Sequence, residues 1–154
     1  MLPSIGTISH GTLNPEHLIP IFSDELRLLV KNDRDPARRA HARKVLATAA
    51  AFNPVASDSG DILVEMHEAL DAYALPYTYF GNLEGDGSDF GFWPSIESLE
   101  DDAREGDYVV KVAAGDPWPA GLRTKGVSFV MEVTDHGNVS LRRACNGREI
   151  WAIV

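Results

Sequence analysis

Three groups of side chains in this 154-residue chain have types and spacings that could do chemistry. The first is Glu84-Gly85-Asp86-Gly87-Ser88-Asp89, where three carboxylates and a hydroxyl share one glycine-rich connection. Hard oxygen ligands on such a loop suit calcium or magnesium, but the alternating ligands and closing Glu of an EF-hand are missing. A solvated hairpin loop is therefore expected, with no metal and no cofactor. The glycines also suggest a phosphate cradle, yet the loop is acidic and has no Walker-type lysine, so phosphate is set aside.

The second group is histidine. His10, His17, His41, His67 and His136 are scattered, with no HxxxH or HExxH pair and no cysteine partner for zinc. Ser9-His10 holds the atoms of a nucleophile and a base, but no GxSxG elbow accompanies it. His67, on the third predicted helix, is expected at the surface or the core boundary, and His136 exposed in a turn. No catalytic residue is assigned.

The third group is acidic. From Glu84 to Asp107 the chain carries nine acidic residues and one basic residue, Arg104, a local balance of −8 against −9 for the whole protein. The nine are Glu84, Asp86, Asp89, Glu97, Glu100, Asp101, Asp102, Glu105 and Asp107. Carboxylates this dense, beside aromatics such as Phe90 and Trp93, can imitate the charge lattice of a nucleic-acid backbone and fill a partner's cationic groove. All nine are candidate partner-binding residues. Between Arg27 and Lys44 the balance reverses, with seven basic and two acidic residues. Arg38, Arg39, Arg43 and Lys44 are expected to form a solvated helix face. The overall charge of −9 disfavours direct nucleic-acid binding, which needs cationic contacts to phosphate.

The elements that must position these groups are legible in outline. Asn14-Pro15-Glu16 and Asp35-Pro36 are helix starts, with a capping side chain followed by Pro at the first helical position. Helices are predicted over 15–31, 36–52 and 61–74, the last after a polar connection from Ala56 to Gly60. Leu18, Phe22, Leu26, Leu46, Met66 and Leu70 are predicted to be buried. Residues 1–13 read as an extended lead-in anchored by Ile5 and Ile8. After Pro76 the apolar period shortens towards two. A hairpin of 77–81 and 89–93 turns at Gly85-Asp86-Gly87, and a short acidic helix follows, with Ile96 and Leu99 facing inward. Strands are predicted near 108–112, 127–134, 138–143 and 148–154, with alternate residues of 127–134 inward and a type I′ turn at Asn146-Gly147. The expected fold is a single α+β domain over 1–154, three N-terminal helices on a mainly antiparallel C-terminal sheet of about five strands.

Composition narrows the classes further. Hydrophobic content of 44% with 24% charged residues is that of a folded globular protein. No run of about 18 apolar residues predicts a membrane span. The opening MLPSIGTISHGTL lacks the charge and apolar pattern of a secretory signal. Cys145 cannot form an internal disulfide, in keeping with a reducing cytoplasm. It stands among Arg142, Arg143 and Arg148, and is read as a structural thiol.

The phrases ISHGTL from Ile8 to Leu13 and YFG at Tyr79–Gly81, with GDGSDFGFW from Gly85 to Trp93, resemble a group of proteins when taken together. These are small, mostly uncharacterised proteins of bacterial plasmids, conjugative elements and phages. The resemblance carries over no catalytic residue. It implies a gene of a mobile genetic element acting inside a bacterial cell.

The leading expectation is a non-enzymatic acidic protein that binds a protein partner with a basic groove. Its sharper form is a DNA mimic inhibiting a host defence complex, of anti-CRISPR or antirestriction type. A small enzyme using Asp86 or Asp89 as general base is the second reading. A homodimeric accessory protein, joined at a sheet edge or by its basic and acidic regions, is the third.

Overall fold

The computed structural model describes residues 3–54 and 59–153. The chain forms two compact units, Met1–Pro94 and Ser95–Val154, each with its own sheet.

The first unit holds strand β1 (Gly6–Ser9), helices α1 (Pro15–Lys31), α2 (Pro36–Ala50) and α3 (Ser59–Asp71), and strands β2 (Thr78–Leu83) and β3 (Asp86–Pro94). Both predicted caps form. The Asn14 side chain accepts from the Glu16 backbone N–H at 3.0 Å, and Asp35 accepts from those of Ala37 and Arg38. Each cap satisfies donors that the first helical turn leaves open. Leu18, Phe22, Leu26, Met66 and Leu70 are buried as expected; Leu46 is only half-buried, at the margin of the same core. Of the expected connection before α3, Ala56, Ser57 and Asp58 lie outside the described residues.

The sheet under these helices has three antiparallel strands in the order β1-β3-β2. Phe80 and Phe92 face each other across β2 and β3, and Phe22 of α1 meets the Phe80 ring edge-on at 5.1 Å. All three rings are buried, and such burial stabilises by roughly 1.5–3 kcal/mol per ring. The Arg38 guanidinium leaves the predicted solvent face. It donates to both oxygens of Asp33, at 2.8 and 2.7 Å, and lies 4.7 Å above the Tyr73 ring. This fork holds the Asp33 carboxyl far below the usual carboxylate range. Burial, with the Asp33 carboxylate beside it, pushes the Tyr73 phenol up to about 12. Arg39 is half-buried, so of the expected basic face Arg43 and Lys44 remain exposed.

The second unit contains helix α4 (Ile96–Glu105) and strands β4 (Val109–Ala113), β5 (Phe129–Val133), β6 (Val139–Arg143) and β7 (Glu149–Ile153). Its sheet runs β4-β5-β6-β7 and is mixed, because β4 and β5 are parallel. The expectation of one mainly antiparallel sheet of about five strands is thus corrected to two sheets of three and four strands. Two causes are visible. The lead-in contributes a strand, β1, to the first sheet, and residues 114–128 are long enough to return the chain for a parallel pairing. Leu122 and Val127, from that return, pack with Val130 in a small core. Val130 and its neighbour Met131 are both buried, so β5 is covered on both faces and the expected alternation is absent.

The predicted type I′ turn does not form. It requires positive φ at both central residues, and of the pair only Gly147 has it, at +70°. The Gly147 N–H instead donates to the Arg143 carbonyl at 2.9 Å, closing a wider turn that holds exposed Cys145.

Candidate functional site

In the first unit the chain turns between β2 and β3 at Glu84-Gly85, with Gly85 at φ +87°, rather than at Gly85-Asp86-Gly87. Leu83 pairs with Asp86 and Asn82 with Phe90, so residues 87–89 have no partners on β2 and form a bulge. The Asn82 side-chain amide donates to the Gly87 carbonyl and holds the bulge from within the hairpin. On the other side, the Gly11 N–H donates to the Ser88 carbonyl at 3.1 Å. That bond brings the end of β1, and with it His10, against the bulge.

Three side chains meet there. His10 Nδ1 lies 3.7 Å from Asp89 Oδ2 and 3.9 Å from Asp86 Oδ2. One ligand atom from each of the three residues lies within 4.8 Å of the others. Asp86 Oδ1 is occupied separately, accepting from the Ser88 N–H at 3.0 Å and the Ser88 hydroxyl at 2.8 Å. Those bonds, with the charge of His10 adding to them, lower the Asp86 carboxyl below its ordinary value.

Asp89, expected on an exposed acidic surface, is instead buried, with 7% of its surface accessible. Its Oδ2 accepts from the Thr7 hydroxyl at 3.2 Å, and its Oδ1 is buried without a hydrogen-bond partner. Nothing in the order of residues announces this. Asp89 is buried because β1 lies over the bulge, and His10 reaches it only through the β1–β3 pairing. The signal available in sequence was a histidine followed by glycine at the end of a short β-branched segment, Thr7-Ile8-Ser9-His10-Gly11.

No protein-family model matches this chain, and no curated protein or solved structure matches it. No helix of the described residues is long and apolar enough to cross a membrane.

The other expected acidic residues belong to the second unit, while Glu84 stays exposed in the hairpin turn of the first. On α4, Leu99 is fully buried and Ile96 half-buried, which leaves Glu97, Asp101 and Glu105 exposed at four-residue spacing on one face. Asp107 is exposed just beyond Gly106, whose φ of +77° ends the helix in the left-handed conformation. Glu100 and Asp102 are half-buried. Part of the charge is compensated locally. Lys111 donates to Glu100 at 3.1 Å, and Arg104 pairs with Asp101.

Among the remaining histidines, His67 is half-buried against the edge of Phe80, and His17, His41 and His136 are exposed. His67 also lines an apolar recess of ≈ 360 Å³ with Leu18, Phe22, Leu63, Val64 and Phe90, whose other polar group is Glu68.

Proposed function

We infer that the chain works by binding a protein partner through the acidic face of the second unit, as a mimic of nucleic-acid charge. The observation that carries this reading is the arrangement of α4. Five carboxylates (Glu97, Glu100, Asp101, Asp102 and Glu105) stand on ten residues while the apolar side chain Leu99 is turned inward. A helix of that length spans about 15 Å, or about one carboxylate per 3 Å. A single nucleic-acid strand carries one charge per roughly 3.4 Å, and on the exposed face Glu97, Asp101 and Glu105 recur about every 6 Å, near the spacing of every second phosphate.

The helix gains from only part of this composition: Glu97 in the first turn suits the helix dipole, and Arg104 pairs with Asp101. Glu105 sits at the C-terminal end, where the helix dipole disfavours negative charge by about 0.3–1 kcal/mol. Neighbouring carboxylates repel each other by a few tenths of a kcal/mol per pair, roughly. Arginines and lysines on a partner would remove both penalties and steer association over long range. The proposed setting is the cytoplasm of a bacterium, with the gene on a mobile element and the partner a nucleic-acid-directed defence complex.

The test is phage plating on bacteria that carry a restriction or CRISPR system and express the chain. Plating should rise with the wild-type chain and fall back with Glu97→Gln, Glu105→Gln and Asp107→Asn combined. If no such system is relieved, the inhibitory form of the reading fails. If the triple variant relieves it as well as the wild type, the acidic face is not the contact.

A second reading has one observation in its favour. Asp86 and Asp89 both stand beside His10, as a small hydrolytic enzyme would need. The bonds from Ser88 lower the Asp86 carboxyl and so weaken it as a general base.

A further inference from the structure

We propose that His10, Asp86 and Asp89 bind one divalent transition-metal cation, of the zinc or manganese kind, through His10 Nδ1 and one oxygen of each carboxylate. The acidic loop alone predicts no metal, but the fold adds an imidazole to that loop.

Two independent observations point to a cation. The first is spacing. His10 Nδ1 is 3.7 and 3.9 Å from its two carboxylate oxygens, too far for hydrogen bonds. An ion with bonds of about 2.1 Å holds its ligand atoms roughly 3.0–3.4 Å apart, depending on geometry. The two distances from His10 therefore need to shorten by less than about 1 Å, a movement open to exposed His10, while the ligand atoms of all three residues already lie within 4.8 Å of one another.

The second observation is the state of Asp89. A carboxylate that is 7% accessible receives one hydroxyl hydrogen bond, at 3.2 Å, and its other oxygen has no donor at all. Burying a carboxylate with so little compensation is costly; the oxygen that faces His10 is Oδ2, and a cation held there offsets the charge of the carboxylate as a whole, Oδ1 included.

The outer contacts fit this role. Ser88 holds Asp86 Oδ1, which leaves Oδ2 turned towards His10, and Thr7 orients the Asp89 carboxylate. One imidazole nitrogen with two carboxylates suits zinc or manganese better than calcium or magnesium, which take all-oxygen shells. Three protein ligands also leave coordination positions for water or a bound molecule. The site lies wholly in the first unit and does not depend on the acidic face of α4.

The experiment is calorimetric titration of the chelator-treated full-length chain with zinc chloride, manganese chloride and calcium chloride, alongside His10→Gln and Asp89→Asn. Thermal melting is followed in parallel. The expected result is one equivalent of zinc or manganese bound, a raised melting temperature, and at least tenfold weaker binding in each variant. His10 is exposed, so His10→Gln keeps the fold and the comparison holds even if Asp89→Asn unfolds. No saturable heat with zinc or manganese overturns the proposal. So does a site that keeps its affinity in His10→Gln, or one that prefers calcium.

Discussion

The carbonyl oxygen of Gly6 lies so close over Gly91 that a Cβ built on Gly91 would stand 2.1 Å from it. Backbone atoms cannot yield as the end of a side chain can. A side chain at 91 would have to push β1 off β3, and the position of His10 depends on that pairing.

Gly91→Ala should therefore cost about 1–3 kcal/mol in stability, the usual range for overpacking. Urea denaturation measures it, and the same variant should lose any metal binding that needs His10. Wild-type stability in Gly91→Ala would mean that β1 does not pack on β3 in solution.

Asp33 should make stability pH-dependent at the acid end. Its folded carboxyl is held below the ordinary value near 3.9 by Arg38, so the unfolded chain takes up the proton first as pH falls. The Asp33–Arg38 contribution is fully present above about pH 4–5 and is lost progressively as pH drops towards the folded value. Asp33→Asn should be less stable at neutral pH and show a flatter decline below about pH 4. Denaturation midpoints of both proteins between pH 2 and 6 test this, and parallel curves would remove Asp33 from the account.

Glu132 ties one face of the second sheet. It accepts from the Trp118 indole N–H at 2.8 Å and from Arg142 Nε at 2.7 Å, while Arg142 also reaches Glu149. Glu132→Ala leaves both donors short of an acceptor and should destabilise by about 2 kcal/mol, as expected for hydrogen bonds to a charged group. Trp118 fluorescence should shift with the change. An unaltered spectrum and midpoint would show that this ladder is not formed.

The acidic face makes the opposite demand on stability. Replacing Glu97, Glu105 and Asp107 by their amides should leave the melting temperature unchanged or raise it, because like-charge repulsion is relieved. Capture of a basic partner should fall at least tenfold, about 1.4 kcal/mol, and its salt dependence should shrink. Unchanged capture with unchanged salt dependence would leave the face with a solubilising role only.

What could be read from residue order was whatever is local. Asn14-Pro15 and Asp35-Pro36 announce their helices because a cap needs only neighbours, and the stripe from Leu18 to Leu70 follows from helical spacing. The turn falls at Glu84-Gly85, one residue earlier than Gly85-Asp86-Gly87, because the bulge at 87–89 depends on β1. That strand is four residues long, and its partner lies some eighty positions away, so no periodicity could reveal it. Arg38 looked solvent-facing because Asp33 and Tyr73, which draw it in, stand on neighbouring segments. The parallel pairing of β4 and β5 is hidden in the residue order for a similar reason: its crossover, residues 114–128, has no helix to mark it.

The pairing of β1 with β3 also dictates an order of assembly. Ser9 sits opposite Phe90, so the first strand made must wait for the last strand of its own sheet. At translation rates of about 5–20 residues per second, that wait is about 4–16 s. During it the three helices can fold, since their contacts are far more local and contacts of low sequence separation form faster. The histidine cluster is then the final part of the first unit to close, and a nascent chain that has not yet reached Asp86 carries His10 without either of its carboxylates.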